Sequence, residues 1–244
     1  MLKIFKDADE LSVAAAQLFV QSAAEAISRH GKFTVALTGG SSPEKMHRLL
    51  TEEPYASQVD WSKVFVFWGD ERWVPLDDDK SNAKMAFETL LNHVPIPKEN
   101  IFVMWADGYQ PKEYAAKYES FLKENLGDDP RFDLIFLGMG DDGHTASLFP
   151  GQPVIDEKDK WVDVYWLAPQ DMYRITLTEP VLNDARKIVM LVFGTKKANA
   201  LHEVLEGERN PHLYPSQVLA PKNGEILWFV DEAATEKLND KSQD

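Results

Sequence analysis

The run Gly138-Met139-Gly140-Asp141-Asp142-Gly143-His144 sets three glycines, two aspartates and a histidine directly after the apolar stretch Leu134-Ile135-Phe136-Leu137. A continuous apolar run of strand length reads as a strand buried on both faces. In an open α/β sheet, ligands bind just beyond the carboxyl ends of such strands. His144 is then a titratable group at the mouth of a crevice, where a neighbouring carboxylate can orient its imidazole or stabilise its charged form. The same residues admit two plainer readings. Asp-Asp-Gly is ordinary turn chemistry, and Asp141, Asp142 and His144 could begin a metal site, although no second histidine or carboxylate cluster completes one.

Two further loops carry reactive side chains. Thr38-Gly39-Gly40-Ser41-Ser42-Pro43 follows the apolar run Phe33-Thr34-Val35-Ala36-Leu37 and precedes a helical pattern. Backbone N–H groups at a helix start, with the serine hydroxyls, make an anion site. Pro43 suits the first helical position, with Ser42 as its N-cap. The spacing is neither that of a Walker A loop nor GxGxxG, and a plain strand-to-helix turn fits too. Asp70-Glu71-Arg72 follows the apolar run at 64–67. It is either a surface ion pair of small value or a functional pair, in which Asp70 takes sugar hydroxyls or positions water and Arg72 forks onto phosphate or carboxylate. Arg174, at the start of a β-rich run, and Lys197, at a strand-to-helix junction, are two more cations.

The elements that must position these groups follow from periodicity. Apolar positions at helical spacing predict helices over 11–27, 44–50, 82–91 and 112–126, with another running to about 205. Strands are expected at 33–37, 64–67, 101–103, 134–137, 162–167, 174–178, 187–193 and 226–230, with a helical turn at 179–185 and a final helix capped by Asp231. Alternating strands and helices predict an α/β fold, a mainly parallel sheet flanked by helices, in a single domain over 1–244. Right-handed crossovers gather the loops at one rim, except where a strand reverses. The seven tryptophans read as core, and the histidines other than His144 as surface or packing residues.

The chain has 244 residues, a net charge of −14 and no cysteine. Disulfides and thiolate chemistry are excluded. The charge argues against nucleic acid or an anionic membrane as partner, while a few local cations could still bind a small anion. No apolar run is long enough to span a membrane and no secretory signal opens the chain, so a cytoplasmic location is expected.

Together the three loops resemble the glucosamine-6-phosphate isomerase/6-phosphogluconolactonase family, and its lactonase branch in particular. The likeness continues through Thr145-Ala146-Ser147-Leu148-Phe149-Pro150-Gly151, Arg174-Ile175-Thr176, Gly194-Thr195-Lys196-Lys197 and Gly224-Glu225-Ile226-Leu227-Trp228. It implies a Rossmann-like α/β fold and hydrolysis of 6-phospho-D-glucono-1,5-lactone, the second step of the oxidative pentose phosphate pathway, with no metal or other cofactor. The small phosphosugar lactone is the implied partner, and a monomer is compatible with it. The resemblance places the base at His144 and the phosphate contacts at Gly39, Gly40, Ser41, Arg72, Arg174 and Lys197; the chemistry of an imidazole base adds Asp142 or Asp70 as the carboxylate that orients it or stabilises its charged form. The isomerase/deaminase branch, the alternative reading, typically has tyrosine where this chain has Arg72 and glutamate where it has Phe149. Phenylalanine cannot transfer a proton, so ring-opening chemistry loses a member. Tyr214-Pro215-Ser216 departs from the family pattern, and no binding role is assigned to it.

Overall fold

The computed structural model describes residues 1–127 and 129–242. In chain order these form β1 (Leu2–Phe5), α1 (Ala8–His30), β2 (Phe33–Leu37), α2 (Glu44–Leu50), β3 (Val64–Trp68), β4 (Asp70–Arg72), α3 (Asn82–Ala86), α4 (Pro111–Leu126), β5 (Leu134–Gly138), β6 (Val162–Leu167), β7 (Met172–Leu177), α5 (Glu179–Asp184), β8 (Lys187–Val192), α6 (Ala198–Leu205) and β9 (Glu225–Asp231). Six strands make a parallel sheet in the order β1-β9-β8-β5-β2-β3. Its central strands are apolar on both faces because helices cover both. Phe19 of α1 meets Phe33 edge-on at 5.2 Å and stacks on Phe136 at 6.5 Å, while Phe67 stacks on Phe102 at 4.6 Å.

The strand order reverses at β2. The chain passes from β2 to β3 on one side and returns to β5 on the other. Such a switch opens a crevice at the carboxyl ends of the two strands. Here the crevice lies between the loops at 38–43 and 139–151, which are held together where the Gly138 N–H donates to the Thr38 hydroxyl at 3.2 Å.

A second, antiparallel sheet stands over this rim in the order β4-β7-β6. Gly69 is the point of departure. Its N–H donates to the Leu37 carbonyl and its carbonyl accepts from the Leu177 N–H, both at 2.8 Å. β4 then lies against β7 with Asp70 opposite Thr176 and Arg72 opposite Arg174. The loop expected after β3 is therefore a short strand.

Other local differences have physical causes. Helix α1 starts earlier than its apolar stripe because the Asp7 carboxylate caps the N–H groups of Asp9 and Glu10, and it ends on Gly31 at φ 84°. Helix α2 spans Glu44–Leu50 as expected, but Pro43 rather than Ser42 stands at its N-cap and no side chain caps it. Residues 101–103 keep a single bridge, Ile101 to Val66. The helix expected after Asp231 is one 3₁₀ turn, Ala233–Thr235, although the Asp231 carboxylate does accept the Ala234 N–H at 2.8 Å. Trp166 stands out of the core, edge-on to Tyr173 at 5.0 Å.

At the other end of the sheet, buried Asp133 ties β5 to β2. Its carboxylate accepts the N–H and the hydroxyl of buried Thr34, both at 2.9 Å, and faces His30 Nε2 at 2.8 Å. Asp133→Ala leaves those donors buried and unpaired, and is expected to cost about 2–4 kcal/mol of stability in urea denaturation.

Candidate active site

A cavity of about 310 Å³ opens at the β2/β5 switch. Thr38, Gly39, Gly40, Ser41 and Ser42 line it from the end of β2, Asp70 and Arg72 from β4, Gly138, Met139, Gly140 and His144 from the end of β5 and the loop after it, Arg174 from β7, and Lys197 from the turn before α6. The residues singled out from the sequence thus converge on one space. Asp142 stands just behind the lining, on His144.

His144 is held from three directions. Its Nδ1 meets Asp142 Oδ1 at 2.6 Å, its backbone N–H donates to the same oxygen at 3.1 Å, and its carbonyl accepts the Gly140 N–H at 2.8 Å. Burial opposes ionisation of Asp142, but the hydrogen bond and charge of His144 outweigh it and hold the carboxyl below its ordinary range. An ionised carboxylate can only accept, so Nδ1 carries the hydrogen, and it is in the uncharged ring that Nε2 presents a lone pair. Gly140 makes the pairing possible, since a Cβ there would collide with both His144 and Asp142.

Asp70 serves a different group. Its Oδ2 accepts from Arg174 Nη2 at 2.7 Å and from the Ser147 hydroxyl at 2.6 Å. Burial works against this carboxylate, yet the charges of Arg174 and Arg72 and the Ser147 hydrogen bond keep its pKa below the ordinary value. Arg174 is almost wholly buried, with Nη1 on Gln170 Oε1 at 2.8 Å. Of the two carboxylates read as partners of the imidazole, Asp142 is the one in contact with it, and Asp70 orients Arg174.

The remaining cations have anchors of their own. Arg72 Nη1 donates to the Lys80 carbonyl at 2.7 Å. Lys197 Nζ meets Asp141 Oδ1 at 2.5 Å, and its turn is pinned where the Gly194 N–H donates to the Asp231 carboxylate at 3.0 Å. Among the described residues, the N–H groups of 39–42 make no hydrogen bond to the chain. Segment 210–218 touches the site loop from outside: the Ser216 N–H bonds the Gly143 carbonyl at 2.9 Å and Tyr214 packs against Gly143.

Three contributors are not evident from sequence. Asn82 lines the cavity, donates to the Asp70 carbonyl at 2.9 Å, and lies so close to Gly39 that no Cβ fits there. Ser147 falls inside a conspicuous motif, but its role depends on a partner 77 residues away. Ala146 lines the cavity in a left-handed conformation, φ 47°, at the turn closed by the Leu148 N–H on the Thr145 carbonyl.

The family model described as glucosamine-6-phosphate isomerases/6-phosphogluconolactonase matches residues 6–228. The chain belongs to this family. Within it, a 6-phosphogluconolactonase of Synechocystis is 40% identical, with 88% of each chain covered. A probable chloroplastic 6-phosphogluconolactonase of rice is 39% identical over 98% of this chain and 76% of its own. The solved 6-phosphogluconolactonase of Trypanosoma brucei superimposes with a TM-score of 0.85 at 26% identity, covering 98% of both chains. The family fold accounts for the parallel sheet and for the rim that carries the cavity.

Glu71 sits beneath this rim as a buried cap on α3. It accepts the N–H groups of Asn82, Ala83 and Arg72 at 2.7–2.8 Å. Burial nevertheless dominates and pushes its pKa up from 4.5 to about 7. The folded chain therefore holds this proton more tightly than the unfolded chain. That contribution to stability is full below about pH 4.5 and is lost as pH rises through about 7. Relative to Glu71→Gln, the wild type is expected to lose up to about 3 kcal/mol between pH 5 and pH 8, read from paired urea titrations.

Proposed function

We propose that this chain hydrolyses 6-phospho-D-glucono-1,5-lactone to 6-phospho-D-gluconate with His144 as general base. The chain is a lactone hydrolase, in keeping with the lactonase relatives that match it over most of its length. One observation carries the finer reading. The imidazole of His144, oriented by Asp142, shares a cavity with the 39–42 loop, whose N–H groups make no hydrogen bond among the described residues, and with Arg72, Arg174 and Lys197.

In this scheme the phosphate occupies the end of the cavity formed by Gly39, Gly40, Ser41 and the three cations. Anion binding there supplies orientation at a distance from the reacting carbon. Lys197 approaches with Asp141 as its counter-ion, so phosphate exchanges one anionic partner for another. His144 Nε2 takes a proton from water as the water oxygen bonds to C1, and the carbonyl electrons move onto oxygen. Collapse of the tetrahedral intermediate breaks the bond from C1 to the ring oxygen, which receives the proton from His144. Asp142 stabilises the transient imidazolium, as the acid does in a Ser-His-Asp triad. The site needs no nucleophilic side chain. Phe149, stacked on His144, leaves no third proton carrier for ring-opening chemistry.

The test is hydrolysis of the lactone generated in situ from glucose 6-phosphate, compared with the spontaneous rate. His144→Gln is expected to lower kcat by about 10²–10⁴-fold with little change in KM. Lys197→Ala is expected to raise KM with kcat largely kept. No acceleration by wild type would overturn the substrate, and near-normal turnover by folded His144→Gln would overturn the base.

A further inference from the structure

Phe149 is a buried ring that the scheme above does not use as a reactive group. Its face lies on the imidazole of His144, with ring centroids 4.0 Å apart and planes within 21°. The Arg174 guanidinium carbon also lies over the Phe149 ring, 5.3 Å from its centre. The contact with Asp142 fixes one edge of the imidazole but leaves the ring free to swing about that hydrogen bond. A flat partner parallel to it removes this freedom.

We propose that Phe149 is a positioning residue for His144: its ring fixes the imidazole plane, and its π face stabilises the imidazolium formed as water is deprotonated. The proposal rests on His144 being the base. An aromatic face is electron-rich and attracts cations far more than neutral rings. Its contribution is therefore larger after proton transfer than before it, which is the condition for raising kcat rather than tightening ground-state binding. The charged groups around His144 are Asp142 at Nδ1, the Lys197–Asp141 pair, Arg72 and the Asp70–Arg174 pair. The two ion pairs are internally compensated. This leaves Asp142 and the Phe149 face as the groups in direct contact with the ring that favour its charged form.

The experiment compares Phe149→Leu, which keeps an apolar side chain but removes the π face, with Phe149→Tyr, which keeps the face. Each is checked for folding by thermal melting. The readouts are kcat and KM across pH, and the titration of the His144 Cε1 proton followed by NMR. Phe149→Leu is expected to lower kcat about three- to tenfold at unchanged KM. It should also move the His144 titration, and with it the acid limb of kcat, to lower pH. Phe149→Tyr is expected to restore both. An unmoved titration with wild-type kcat in Phe149→Leu would overturn the proposal, as would equal losses in the two variants, which would mean packing alone. The NMR titration does not depend on turnover, so it separates failure of this proposal from failure of the lactonase reading, which the His144→Gln comparison tests.

Discussion

The buried ion pair between Asp70 and Arg174 is the constraint on which the upper half of the molecule depends. It joins β4 to β7, and through Ser147 it fastens the loop that carries His144 to both. Two charges this deeply buried are expensive to desolvate, and such a pair holds only when its remaining hydrogen-bonding capacity is largely filled. Here Gln170 takes Nη1 of the guanidinium and the Ser147 hydroxyl shares Oδ2 of the carboxylate, while Arg174 Nε is buried without a partner among the described residues. Either charge alone would be stranded. The pair is therefore weak evidence for stability and strong evidence for register, since the short polar strand β4 has little apolar surface with which to choose its own neighbour.

The parallel sheet and the glycine-rich loops were legible in the sequence because both rest on local rules. Continuous apolar runs such as Phe33–Leu37 can be little else than buried strands, and Gly, Ser, Asp and His gathered at their ends announce a rim. The second sheet was not legible. Asp70-Glu71-Arg72 has neither alternation nor apolar content, and it is a strand only because β7 lies beside it. β1 was hidden by its length: Leu2-Lys3-Ile4-Phe5 is an edge strand of four partly buried residues, too short to carry a period. Asn82 and Ser147 were invisible as site residues because their importance lies in contacts with Gly39 and Asp70, far away in sequence. Asp70 was identified as a site residue, but which group it serves is a question of three-dimensional distance.

A chain of net charge −14 is an unexpected host for the anionic substrate proposed for it. In that proposal the attraction is local, supplied by Arg72, Arg174, Lys197 and the 39–42 loop, whose residues line the same cavity. Surface carboxylates more than about 10 Å away are screened at ordinary ionic strength. Two of the three cations also arrive with counter-ions from the chain, so the cavity has a far smaller net field than a count of its arginines and lysines suggests. Discrimination then depends on where hydrogen-bond donors point rather than on total charge.

The turn at Ala146 sets a boundary of another kind. A left-handed backbone excludes β-branched and bulky side chains, and leaves glycine, alanine, asparagine or aspartate as tolerable occupants. Ala146 also forms part of the cavity wall. The width of the cavity at that point is thus a property of the main chain and not of side-chain choice. Divergence or engineering can reshape the other walls residue by residue, but here the gauge of the opening is inherited with the loop.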